Sequence, residues 1–132
     1  MDDNTADNPA QSFADALQQL ERDGDVAAFV QNTFSDDAEL VRPETDQAER
    51  GADGATRFWQ QYLDQFQQIR SEFNRVVPGP VSVLEWTSSG HTRHGAEISY
   101  RGVSLLDIAD NGRTKRFATY YDTAPFTSNP PT

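Results

Sequence analysis

Apolar positions along this chain change their period at intervals, and the changes divide it into helical and extended parts. Phe13, Leu17 and Leu20 recur at helical spacing behind Ser12 and Asp15, which read as an N-cap pair, until Gly24 stops the run. Asp25 is placed to cap a second, shorter helix through Val26, Phe29 and Val30. Ala38, Leu40 and the ending Val41-Arg42-Pro43 predict a short strand, and the acidic stretch 44–52, without apolar pattern, predicts a loop. Asp53 then opens the longest predicted helix. Its stripe of Phe58, Trp59, Tyr62, Leu63, Phe66 and Ile69 is broad enough to face a core and something besides.

From Phe73 onward the residues become β-branched and aromatic, broken by Pro78-Gly79-Pro80, Ser88-Ser89-Gly90 and Asn111-Gly112. Four strands are predicted near 73–77, 81–88, 96–106 and 114–122, the third bending or splitting at Gly102. Asn111-Gly112 favours a two-residue hairpin turn, because both residues tolerate positive φ. Pairing Asp110 with Arg113 then sets Ile108 opposite Lys115, Asp107 opposite Arg116, Leu106 opposite Phe117, Ser104 opposite Thr119 and Gly102 opposite Tyr121. One sheet face carries Ser104, Leu106, Ile108, Phe117, Thr119 and Tyr121. The other carries Val103, Leu105, Ala118 and Tyr120, with the charge pairs Asp107/Arg116 and Arg101/Asp122. The predicted class is α+β: one domain over 12–124, with polar tails at 1–11 and 125–132.

At 132 residues the chain is long enough for a genuine core, and 8 Phe, 4 Tyr and 2 Trp supply one despite a mean hydropathy of -0.74. A formal net charge of -10 repels nucleic-acid phosphates and anionic membrane surfaces, so neither is an expected partner. The absence of Cys excludes disulfides, thiolate metal sites and thiol nucleophiles. Two histidines, His91 and His94, are too few for a metal cluster. The acidic start has no signal-peptide pattern and no apolar stretch approaches membrane-spanning length, so the expected compartment is the cytoplasm. Glycine-rich phosphate loops and nucleophile elbows are missing, and no cofactor is expected.

Taken in order, two amino-terminal helices, a strand ending at Pro43, a long aromatic helix and a meander closing with Asn111-Gly112 and Tyr120-Tyr121-Asp122 resemble the nuclear-transport-factor-2-like superfamily. Gly24-Asp25, FSDDAELVRP (34–43), Arg50-Gly51, VLEWTSSGHT (83–92) and RGVSLLDI (101–108) resemble its SnoaL-like branch. The resemblance covers about 110 residues. It implies a cone, with a curved, mainly antiparallel sheet wrapped around the long helix, a pocket open at one end, and a homodimer through the outer sheet face. It also carries over chemistry residue by residue. Where isomerase-like members hold a base before the proline, this chain has Arg42; where they hold a protonated acid and its tyrosine, it has Ser104 and a position near Leu17. Where cyclase-like members hold an acid on the last strand, it has Thr119.

The remaining candidates each have two readings. Arg42 is either an anion clamp at the pocket mouth or an end-of-strand partner of Glu44 or Glu49. His91, with a pKa near neutrality, is either an acid/base or a solvated loop residue. Glu85 and Glu97 are either bases facing the pocket or carboxylates on the wet face. Asp122 is expected to pair with Arg101. Trp59, Tyr62, Phe66, Trp86, Phe117 and Tyr121 either line an apolar ligand pocket, joined there by Ser104 and Thr119, or are core. The expected function is binding of a small apolar or aromatic molecule, flat and neutral or anionic. The alternative is an enzyme of cyclase, isomerase, dehydratase or hydrolase type using Glu85, His91 or Tyr121.

Overall fold

A computed structural model describes residues 8–42 and 48–127. Within them the order is α1 (Pro9–Asp23), α2 (Val26–Thr33), β1 (Phe34–Val41), β2 (Ala48–Arg50), α3 (Gly51–Asp64), β3 (Phe66–Val77), β4 (Val81–Thr92), β5 (Glu97–Ile108), β6 (Thr114–Tyr121) and α4 (Ala124–Thr127). The six strands form one curved, unclosed sheet in the order β2-β1-β6-β5-β4-β3, with β1 parallel to β6 and every other neighbour antiparallel. This is the expected α+β cone. α1 lies across β3 and β4, and α3 crosses β1 and β2.

Several boundaries differ from the expectation, each for a local reason. α1 begins at Pro9, three residues ahead of Ser12, because the Asn8 side chain accepts from Gln11 N at 3.1 Å and proline needs no donor at the first helical position. Asp25 caps α2 as expected, accepting from Ala28 N at 3.1 Å. Residues 48–50 pair with Glu39–Val41 as a short strand, and α3 follows directly from Gly51 without a side-chain cap, leaving Asp53 in its first turn. At 14 residues α3 is one shorter than α1. Phe66 and Ile69 belong to β3, not to the helix. A register shift between Phe66 and Gln68 adds a bulged residue, so two side chains three apart point to the same face and mimic helical spacing. Pro43 and Glu44 lie outside the described residues.

Ser88-Ser89-Gly90 does not end β4. Each of the three is paired to β3 on one side and β5 on the other, and this two-sided pairing overrides a local turn signal. The last hairpin has the predicted pairs from Gly102↔Tyr121 to Asp107↔Arg116, but a different turn. Only Gly112 has positive φ (85°); Ala109 N donates to Arg113 O and Gly112 N to Ala109 O, which makes a three-residue loop. Ile108 therefore faces Thr114, and Lys115 is bulged out, which restores the predicted register beyond it. β5 runs unbroken through Gly102. The Asp122 carboxylate accepts from Ala124 N at 3.0 Å at the start of α4, and Arg116 lies nearest Glu39, at 3.9 Å, instead of Asp107.

The core is aromatic where α1, α2 and α3 meet β1 and β6. Phe13 stacks on Phe117 at 5.5 Å and meets Phe29 and Phe34 edge-on, and Trp59 closes the cluster against Phe29 (5.0 Å) and Phe117 (5.2 Å). Phe126 of α4, inside the segment expected to be a tail, packs on Tyr100 at 4.7 Å.

Candidate functional site: a cavity with two polar ends

Register places the inward side chains of β3–β6 in rows across the sheet. Ser71, Ser88 and Tyr100 form one row; Phe73, Trp86, Gly102 and Tyr121 the next; Leu84, Ser104 and Thr119 a third. A side chain at Gly102 would lie 2.7 Å from both Trp86 Cζ2 and Tyr121 Cβ, so the missing Cβ is what lets these two rings occupy the middle row. The rows floor a cavity whose roof is Leu17 of α1, Phe58, Trp59 and Tyr62 of α3, and Phe126 of α4. The space open to the centre of a water-sized sphere is about 50 Å³. That is narrow, room for on the order of four waters.

Most of the predicted ligand-binding residues line this space: Trp59, Tyr62, Trp86, Phe117 and Tyr121 supply its aromatic walls, with Arg42, Ser104 and Thr119. Phe66 does not; it is buried behind, against Tyr62 and stacked on Tyr100. Leu17, Arg42, Ser104 and Thr119, the positions to which the family resemblance assigns acids, bases and their partners, all line the cavity, and none is a carboxylate. The Arg42 guanidinium lies 4.1 Å over the Phe58 ring and donates to Phe58 O (3.2 Å) and Gln61 Oε1 (3.3 Å), so it is engaged with α3. Glu49 is bonded to Arg57 instead (3.1 Å).

Two of the catalytic candidates do not face the cavity. Glu85 lies on the outer sheet face between Arg75 and Val103, because it alternates with the buried Leu84 and Trp86. His91 is on the same outer side, its Nδ1 3.3 Å from Gln68 Oε1, near Glu97 in a shallow polar groove. Tyr121, the third candidate, does line the cavity.

The carboxylate that does reach the site is Glu21, which the sequence reading passed over. It sits in the last turn of α1, on the stripe of Leu17 and Leu20. Tyr62 Oη donates to Glu21 Oε2 at 2.6 Å, Ser71 Oγ donates to the same oxygen at 2.6 Å, and Ser71 N donates to Oε1 at 2.7 Å. Ser71 Oγ is also 2.6 Å from Ser88 Oγ. Burial holds the Glu21 carboxyl above its ordinary range, and the bonds from Ser71 and Tyr62 pull it part of the way back. Desolvation, with the nearby Glu21 charge, raises Tyr62 well above the ordinary phenol value, and desolvation likewise raises Tyr100. Both phenols are therefore proton donors at neutral pH. At the opposite end Trp86 Nε1 donates to Ser104 Oγ (2.9 Å), which is 3.0 Å from Thr119 Oγ1.

A six-strand mixed sheet curled over helices around such a cavity is the nuclear-transport-factor-2-like cone. Residues 10–117 match the model of the SnoaL-like domain, and the chain belongs to that family. No curated protein matches it. Among solved structures it is similar to a nuclear-transport-factor-2-like protein from Anabaena variabilis (TM-score 0.79, 16% identity, covering 95% of this chain and 96% of that one). It is also similar to a putative SnoaL-like polyketide cyclase from a Jannaschia species (TM-score 0.71, 16% identity, 92% and 95%). A third is a Mycobacterium tuberculosis protein in complex with estradiol-17beta-hemisuccinate (TM-score 0.74, 11% identity, 89% and 97%). At these identities the likeness is one of fold.

Proposed function

We propose that this protein binds a small, flat, largely apolar molecule in the cavity of the cone. The observation that carries the reading is the cavity itself: aromatic walls from α3 and the sheet with a smaller number of polar groups among them, the composition usual for small-molecule sites. The similar mycobacterial protein was solved with a steroid ester, which supports the same use of this fold. The space, about 50 Å³, is smaller than an aromatic ring needs, so even a single-ring occupant enters by displacing side chains that line it. Thermal unfolding of the protein against a panel of single-ring aromatic compounds tests the reading. Stabilisation that disappears in Trp86→Ala is expected, and no stabilisation by any member of the panel counts against it.

An enzyme remains the second reading, and Glu21 is the observation that favours it. A half-buried carboxylate whose pKa is raised by burial, one hydroxyl removed from a cavity, is a candidate proton carrier. The cyclase-type name of the Jannaschia neighbour supports a reaction of that kind.

The partner we propose is a second copy of the chain, docked on the outer sheet face. Leu105, Val83 and Val77 form an apolar row across β5, β4 and β3 there, beside the buried Ala118 of β6 and flanked by Tyr120 (46% exposed) and Val81 (53% exposed). Light scattering should give twice 14.7 kDa for the native chain and 14.7 kDa for Leu105→Arg; a native monomer at all concentrations ends the proposal. No helix among the described residues is long and apolar enough to cross a membrane. With the acidic surface this supports a cytoplasmic protein, which cell fractionation checks.

A further inference from the structure

Counting hydroxyl protons shows that the two ends of the cavity are opposite in hydrogen-bonding sense. At the Glu21 end the ionised carboxylate only accepts, so the Tyr62 and Ser71 hydroxyl protons are both directed at it. Ser71 Oγ has no proton left for its 2.6 Å contact with Ser88, so Ser88 is the donor there. With those protons used, the hydroxyl oxygens of Tyr62 and Ser88, both lining residues, offer lone pairs. The Tyr100 hydroxyl interacts with the same two residues.

At the other end the balance is reversed. Ser104 Oγ already accepts from Trp86 Nε1, and the Ser104–Thr119 bond uses one of their two hydroxyl protons. The second has no acceptor among the described residues. Trp59, which also lines the cavity, carries an indole N–H that is buried without a hydrogen-bond partner. An unspent buried donor is costly, and a ligand acceptor relieves it.

We infer that the cavity takes a neutral, single-ring molecule bearing a hydroxyl donor at one end, held by Tyr62 and Ser88, and a carbonyl acceptor at the other, held by Ser104 or Thr119. The inference rests on the small-molecule reading above and names its ligand class. Ser88 pairs with Tyr100, and Ser104 lies four residues further along the same strand. Four residues span about 13 Å of strand, and two hydrogen bonds of about 2.8 Å leave about 7–8 Å between the polar atoms of the ligand, close to the span of a para-disubstituted ring. Glu21 touches no ligand in this arrangement; it is a positioning residue that keeps the Tyr62 proton turned away.

Calorimetric titration with four probes separates the claims: 4-hydroxyacetophenone, 4-methoxyacetophenone (donor blocked), 4-ethylphenol (acceptor removed) and ethylbenzene (neither). The wild-type protein should bind the hydroxyketone about tenfold or more tightly than either singly blocked probe. In Tyr62→Phe, and to a smaller extent in Glu21→Gln, the preference over the methoxy compound should shrink while affinity for the methoxy compound holds. In Thr119→Val the preference over 4-ethylphenol should shrink and the hydroxyl preference persist. If Glu21→Gln does not fold by circular dichroism, the Tyr62→Phe arm decides. Equal binding of all four probes, or a hydroxyl preference undiminished in both Glu21→Gln and Tyr62→Phe, overturns the inference and leaves the small-molecule reading standing. Failure of every probe, ethylbenzene included, overturns both.

Discussion

Tyr62→Phe removes the hydroxyl that donates to Glu21 and keeps the ring contacts with Trp59 and Phe66, each at 5.6 Å. The hydroxyl is one of three donors to Glu21, at 2.6 Å, and its loss leaves only the two from Ser71. A hydrogen bond to a charged group contributes about 1.5–3 kcal/mol, so urea unfolding at pH 7 should show a loss of about 2 kcal/mol. The pH dependence has a definite sign. Burial already holds Glu21 above its ordinary value of 4.5, and Tyr62 pulls it down, so the variant raises it further. A carboxyl raised in the folded state contributes stability below 4.5 that is lost as the pH climbs through the folded value. Both proteins lose this contribution on neutralisation, and the variant loses more. Facing Glu21 are Tyr62 from α3, Ser71 from β3 and Tyr100 from β5, with Arg22 beside it on α1; burial raises both phenols, so neither ionises between pH 4 and 7, and carboxylates elsewhere cancel in the difference. The stability gap should therefore shrink to about 1 kcal/mol or less below pH 4.5, where a neutral bond replaces a charged one. An equal gap at both pH values, or none at pH 7, refutes the assignment of the Tyr62 proton to an ionised Glu21.

Gly102→Ala forces a Cβ to within 2.4 Å of Tyr120 O and 2.7 Å of Trp86 and Tyr121, and overpacking of this kind should cost about 1–3 kcal/mol in urea unfolding, with weaker ligand binding. Gly112→Ala meets no atom within 4 Å, so its expected cost of about 1 kcal/mol comes from backbone strain at φ 85° alone; a larger loss contradicts the open surroundings of that turn. Glu85→Gln and His91→Ala should leave ligand affinity unchanged in calorimetry, since both side chains are on the outer face, and a tenfold change in either would place the binding site elsewhere.

Where the sequence was legible, the signal was local or tied to one turn. The inner face of β5 and β6 follows from a period of two and a single register anchor, and it held even though the turn is a three-residue loop, because the bulge at Lys115 restores the count. Where it misled, a long-range partner overruled a local pattern. Phe66 and Ile69 look helical only because a bulge in β3 spaces them by three, and Ser88-Ser89-Gly90 looks like a turn until both neighbouring strands pair with it. Glu21 gave one faint signal, a carboxylate on the apolar stripe of Leu17 and Leu20, which reads equally as the edge of an amphipathic helix.

The sequence by itself determined the class of fold, the inward identity of Ser104, Leu106, Phe117, Thr119 and Tyr121, and the absence of a carboxylate from the positions to which the family resemblance assigns acid and base. These follow from periodicity and residue identity, which need no knowledge of what lies opposite. Only the tertiary structure decided which polar groups share the cavity. Ser71, Ser88 and Glu21 come from a strand, its neighbour and a helix up to 67 positions apart in the chain, and their meeting depends on how α1 lies across β3. Hydrogen-bond sense is a property of such a meeting: a serine is donor or acceptor only once its neighbours have taken their share of the protons.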